Sequence, residues 1–183
     1  MTRQLEPLDR SFPPAKFAHV VLRTKRLGEL ASWYETVLGA RAVFRNDSIA
    51  FLTYDDEHHR IALVQNPGFA DPPENAVGLE HFAYTFASLG ELLQTYKRLS
   101  AKGIRPFWCV NHGPTTSLYY KDPDGNRVEL QIDNFPDIAS LHAWFASGAF
   151  AKNPIGVNYD PEKLLARWEN GDALDELIRQ GSA

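Results

Sequence analysis

The chain contains a single cysteine, Cys109, in 183 residues. An intrachain disulfide is therefore impossible and a thiolate-held metal cluster is excluded. Any metal has to be held by nitrogen and oxygen. Long apolar runs are missing too: none approaches the roughly 18 residues that a membrane span needs. The opening MTRQLEPLDRSFPPAKF is polar and proline-bearing, without the pattern of a targeting signal. A cytoplasmic protein with no membrane partner is the expectation. Basic runs are also absent, and a formal net charge of -4 is spread as interspersed acids and bases. No stretch is suited to tracking a phosphate backbone, so nucleic acid is not an expected partner. What is present is 44% hydrophobic and 12% aromatic residues, enough material for one well-buried domain.

The chain repeats itself at an offset of 62 residues. FAHVVLRT at 17–24 precedes LGEL at 27–30, and LEHFAYTF at 79–86 precedes LGEL at 89–92. In each copy a β-rich run leads into an amphipathic helical stretch, LGELASWYETVLG and LGELLQTYKRLSAKG, and each stretch ends on a glycine suited to a helix C-cap. Three strand-like segments follow in each half: ARAVF, SIAFLTY and HRIALVQ, then IRPFWCVNH, TSLYYK and NRVELQI. The last turns match at an offset of 67, DDEHHRIAL against DPDGNRVEL. The spacing predicts an α+β domain at 15–133 made of two βαβββ modules, 15–66 and 79–133, joined by the Pro- and Asn-rich linker 67–78. Neither module can cover both faces of its sheet alone, so the two should pair around one concavity. Residues 1–14 form an N-terminal arm, and 134–183 a helical C-terminal extension expected to cap the sheet or pack against a second subunit in a homo-oligomer.

His19 and His81 occupy matching positions in the two copies, each expected in the middle of its module's first strand. One such histidine is ordinary core; two at symmetry-matched places facing one cavity point to a shared ligand. Glu129, inside VELQI, is the third candidate, because a buried carboxylate needs a partner. Its counterpart in the first half is Ala62, so the same address carries a donor atom on one side only. Two imidazoles and one carboxylate make an open facial triad, with positions left for a bidentate substrate and dioxygen. A structural metal normally has a closed ligand set. His112, Tyr119 and the pair His58 and His59 fall around this centre and could supply acid and base groups near neutrality. Alternation counted back from Ala62 selects His58.

Val110, Asn111 and His112, then Leu118 and Tyr119, then Asp122, Pro123, Asp124 and Gly125, then Glu129 form a gapped pattern. It resembles the signature of the type I extradiol ring-cleavage dioxygenases of the vicinal oxygen chelate superfamily. The resemblance covers roughly residues 15–133 and implies that the two modules form a partly open mixed β-barrel around a metal. It further implies His19, His81 and Glu129 as ligands of Fe(II), with Mn(II) the lesser variant. His112 and Tyr119 would hydrogen-bond the bound diol and help deprotonate it. EHHRIAL at 57–63 is similar to the family segment whose second histidine serves as acid and base beside dioxygen, which selects His59 over His58. The implied reaction is extradiol cleavage of a catechol-type aromatic, with a 2,3-dihydroxybiphenyl-like diol as candidate substrate. A single domain of this size resembles the one-domain members of that family. Two other readings keep the fold: a glyoxalase-like isomerase or epimerase, which would need a donor where Ala62 stands, and a non-catalytic binding module, which would not need the triad.

Overall fold

Leu27, Leu30, Ala31, Tyr34 and Val37 recur at helical spacing, and all five are buried on one face of α1 (Leu27–Leu38). The helix stops at Gly39, whose φ of 65° places it in the left-handed region that glycine enters without strain. α1 is flanked by β1 (Val20–Thr24) and by β2 (Arg41–Arg45), β3 (Ile49–Thr53) and β4 (Ile61–Gln65). The second copy runs β5 (Phe82–Thr85), α2 (Leu89–Ser100), β6 (Trp108–Asn111), β7 (Thr115–Lys121) and β8 (Arg127–Asp133). These are two βαβββ modules, as the repeat predicts. The computed structural model describes residues 11–71, 73 and 77–183. Most of the N-terminal arm expected at 1–14, and part of linker 67–78, lie outside the described residues.

The first module forms a four-stranded mixed sheet in the order β1-β4-β3-β2. The second forms a five-stranded mixed sheet in the order β5-β8-β7-β6-β9, with a parallel pair at one edge of each sheet. Val21 pairs with Ala62 and Ala83 with Glu129, so the two halves share one register. The helix-facing side of both sheets and both long helices merge into one apolar core that includes Leu22, Leu63, Leu92, Val128 and Leu130. Burying a side chain of this kind contributes roughly 1.5–3 kcal/mol. Polar contacts also cross between the modules: Arg98 on α2 donates to the Thr36 and Val37 carbonyls at the end of α1, at 2.5 and 3.1 Å. The Tyr34 hydroxyl donates to Asp122 in the β7–β8 turn, at 2.9 Å.

Four expectations need correction. β1 and β5 begin one residue after His19 and His81, so both histidines sit at strand entries and not in mid-strand. β4 begins at Ile61, leaving His58 and His59 in the preceding turn, where strand alternation no longer decides their direction. α2 ends on Ala101 in a right-handed conformation, and Gly103, φ 76°, comes two residues later. β6 is shorter than IRPFWCVNH, since Pro106 cannot donate to a ladder, and His112 falls in the β6–β7 turn.

The extension after β8 folds as α3 (Ile138–Ala146), α4 (Ala149–Lys152), β9 (Val157–Asn158), α5 (Pro161–Glu169) and α6 (Leu174–Leu177). Leu164, Leu165 and Leu177 enter the common core. Tyr96 donates to Glu162 at 2.6 Å, tying α2 to α5. β9 pairs antiparallel with β6, Val110 opposite Asn158 and Asn111 opposite Val157. The extension thus caps and widens the second sheet. No helix among the described residues is long and apolar enough to cross a membrane.

Candidate metal centre

β8 alternates between two environments. Val128, Leu130 and Ile132 enter the core, while Glu129 points to the opposite face and is still only 4% exposed. What covers it is His81: Nε2 lies 3.0 Å from Glu129 Oε2, and the His81 ring stands edge-on to Tyr119 with centroids 5.3 Å apart. The other ring nitrogen of His81, Nδ1, donates to the Glu80 carboxylate, which also holds Arg127. Glu80 is held below the usual carboxylate range, first by its hydrogen bond with His81. A neutral imidazole carries one N–H. With that proton directed to Glu80, the Nε2 lone pair and the Glu129 carboxylate converge on the same space, a donor pair that calls for a cation or a shared proton.

Tyr119 and His112 continue outward from this pair. The Tyr119 hydroxyl and His112 Nε2 are 3.0 Å apart, and Trp108 stacks on Tyr119 with centroids 4.8 Å apart. Burial, and then the charge of Glu129, push the Tyr119 phenol well above its ordinary value, so it stays a neutral hydroxyl.

His19 lies on the first module and groups with other residues. Its ring sits against His59 with centroids 4.4 Å apart and is farther from His58, at 6.4 Å. His59 stacks in turn on Phe51 at 4.5 Å, nearly parallel, and touches His58 through a 2.6 Å contact between their Nδ1 atoms. Burial and the neighbouring imidazoles of His19 and His58 lower the His59 pKa, which keeps its ring neutral at pH 7. A cavity of about 470 Å³ opens between the β1 and β5 edges, lined by His19, Val21 and Tyr54 on one side and by Phe82, Ala83 and Tyr84 on the other. Its second wall starts one residue after His81.

The structure therefore brings His81, Glu129, Tyr119 and His112 into one cluster and His19, His58 and His59 into another. As the side chains stand, no three His, Cys, Asp or Glu residues among the described ones are grouped to hold a metal. His19 packs against His59 and is not grouped with His81 and Glu129. Sequence reasoning missed Glu80. Its signal was available in the repeat, where the residue matching Glu80 is Ala18, the same asymmetry that singles out Glu129 over Ala62.

The family model for the Glyoxalase/Bleomycin resistance protein/Dioxygenase superfamily matches residues 16–130. Biphenyl-2,3-diol 1,2-dioxygenase 2 of Rhodococcus globerulus is 45% identical over 163 residues, 88% of this chain and 86% of the relative. Biphenyl-2,3-diol 1,2-dioxygenase 3 of the same organism is 44% identical over 170 residues, 92% of this chain and 90% of the relative. Among solved structures, lactoylglutathione lyase from Agrobacterium tumefaciens aligns with a TM-score of 0.55 at 22% identity, covering 66% of this chain and 96% of that one. A glyoxalase/dioxygenase from Nostoc punctiforme aligns with a TM-score of 0.54 at 18% identity, covering 69% and 99%. The two structural likenesses bear on the fold alone.

Proposed function

The chain belongs to the Glyoxalase/Bleomycin resistance protein/Dioxygenase superfamily, and we propose from that premise that it cleaves the ring of a 2,3-dihydroxybiphenyl-type catechol beside its two hydroxyls, using dioxygen. The observation that carries the reading is the buried Glu129 carboxylate 3.0 Å from His81 Nε2, in a chain 45% identical to a biphenyl-2,3-diol dioxygenase over 88% of its length. His81 and Glu129 fit a divalent metal through their converging lone pairs, and His19, across the β1–β5 cavity, would be the third ligand. When bound, Fe(II) supplies the redox coupling between the diol and dioxygen. Mn(II) suits the same nitrogen and oxygen donors and is the alternative.

The chain's own groups manage position and protons. Tyr119 is kept neutral by its surroundings and can donate a hydrogen bond to an ionised diol oxygen. His112 Nε2 adjoins that hydroxyl and can take the proton that the diol loses. His59, neutral at pH 7, is the acid and base on the first-module side, where dioxygen would be met. Trp108, stacked on Tyr119, offers an aromatic surface to a second ring. An isomerase reading that needs four protein ligands is disfavoured by Ala62, which offers no donor where the register places Glu129's twin.

The test is anaerobic reconstitution with Fe(II) or Mn(II), followed by oxygen uptake and appearance of a yellow ring-opened product from 2,3-dihydroxybiphenyl and from 3-methylcatechol. Turnover with one mole of dioxygen per mole of diol is the expected result. No oxygen uptake with any catechol under either metal would overturn the proposal.

A further inference from the structure

His112 is held by a part of the chain that lies beyond the family match at 16–130. Its Nδ1 lies 2.5 Å from the carbonyl oxygen of Ile155, in the loop entering β9. A carbonyl can only accept, so this nitrogen carries the proton. In a neutral ring, which carries one N–H, Nε2, 3.0 Å from the Tyr119 hydroxyl, is then the bare nitrogen.

The loop is built to present that carbonyl. Asn153 closes it on itself: its Nδ2 donates to the Gly156 carbonyl at 2.8 Å, and its Oδ1 accepts from the Gly156 amide at 3.0 Å. Gly156 has φ 104°, a conformation that side-chain-bearing residues rarely adopt. A Cβ there would stand 2.7 Å from His112 Cα and closer still to the Asn111 carbonyl oxygen. The absence of a side chain at 156 is what lets the loop lie against the backbone of His112. Beyond it, β9 continues along β6, and Trp108 Nε1 donates to Asn158 at 2.8 Å. The tail also grips the end of β6 and the β6–β7 turn. Asn111 Nδ2 donates to the Ile178 carbonyl at 2.7 Å, and Trp144 packs so closely on Gly113 that a Cβ there would come within 2.6 Å of the indole.

We infer that the tail segment 153–156 fixes His112 as its Nδ1–H tautomer, leaving Nε2 as the atom that exchanges a proton with Tyr119 and the bound diol. Asn153 and Gly156 are positioning residues; they act through His112. What is done with the proton rests on the ring-cleavage reading, whereas the tautomer is a property of the protein alone.

The experiment uses the full-length protein labelled with ¹⁵N-histidine and loaded with Zn(II) as a diamagnetic ion. The His112 ring signals are identified by their loss in His112→Asn. The wild type should show a protonated Nδ1 and a bare Nε2 at neutral pH. Asn153→Ala and Gly156→Ala should mix the tautomers. With Fe(II) and 2,3-dihydroxybiphenyl they should lower kcat by about tenfold or more, with KM little changed. Asn153→Ala leaves the Gly156 backbone conformation available, so it serves if Gly156→Ala fails to fold. An Nε2–H tautomer in the wild type, or a wild-type tautomer and kcat in Asn153→Ala, overturns the inference. A protonated Nδ1 in a protein that turns over no catechol supports the tautomer and overturns the ring-cleavage reading instead.

Discussion

Tyr34→Phe removes one hydroxyl from the interior, and its cost should depend on pH in a direction set by Asp122. In the folded chain the Asp122 carboxylate is 5% exposed and accepts from Tyr34 Oη at 2.9 Å, Asp124 N at 3.0 Å, Asn126 N at 2.9 Å and Asn126 Nδ2 at 2.8 Å. Burial pushes its pKa above the ordinary 3.8, and these donors pull it partly back. A raised carboxyl pKa means that the folded state holds the proton more tightly than the unfolded one. Stability from this group is then fullest at low pH and falls as pH rises through the folded value. Removing the Tyr34 donor raises the folded value further. The cost of the substitution should therefore be smaller at pH 4, towards the protonated range of Asp122, and larger at pH 8, where the variant must bury a carboxylate with one donor fewer. A hydrogen bond between neutral partners contributes about 1 kcal/mol and one to a charged group roughly 1.5–3 kcal/mol. Urea unfolding at the two pH values should show a difference in cost of about 1 kcal/mol. In an Asp122→Asn background that pH dependence should vanish. A cost equal at both pH values, or greater at pH 4, would refute the assignment of Asp122 as a buried carboxylate held by Tyr34.

Glu129→Gln should abolish stable Fe(II) binding, measured as metal content after desalting, while far-ultraviolet circular dichroism stays unchanged. Glu80→Gln removes the acceptor that orients His81; Fe(II) affinity should fall roughly 10–100-fold, as loss of such an outer partner generally does, and an unchanged affinity would remove Glu80 from the site. Gly39→Ala meets no neighbouring atom within 4 Å, so its cost is the left-handed backbone alone. That is about 1 kcal/mol, read as a melting-temperature drop of roughly 2–4 °C with metal binding intact.

The parts of this structure written in local pattern were legible beforehand. Both long helices carry leucines and aromatics at helical spacing, and the repeat set the register that makes Ala62 the twin of Glu129. Other features depend on contacts distant in sequence. β9 is two residues long, Val157 and Asn158, and exists because β6 offers an open edge; nothing in NPIGVNYDP alternates. The hold of Ile155 on His112 spans 43 residues and uses a main-chain oxygen, which no residue type advertises. Strand parity counted back from Ala62 selects His58, but both histidines lie in a turn where parity does not hold, and ring distances place His59 nearer His19. His19 itself shows where pattern stops: symmetry supplies its address, while its packing against His59 is a contact between residues distant in sequence.

The shared register, Val21 opposite Ala62 and Ala83 opposite Glu129, has a consequence for how such a protein can change. Duplication hands every position a counterpart on a backbone that already folds. Ala62 is buried at 3% exposure in the same parallel ladder geometry as Glu129 at 4%. A carboxylate in place of the Ala62 methyl would add a fourth candidate donor to the proposed centre from the matching place in the other module. Chemistries that need three protein ligands and chemistries that need four can thus be neighbours in sequence space, one side chain apart on a common scaffold.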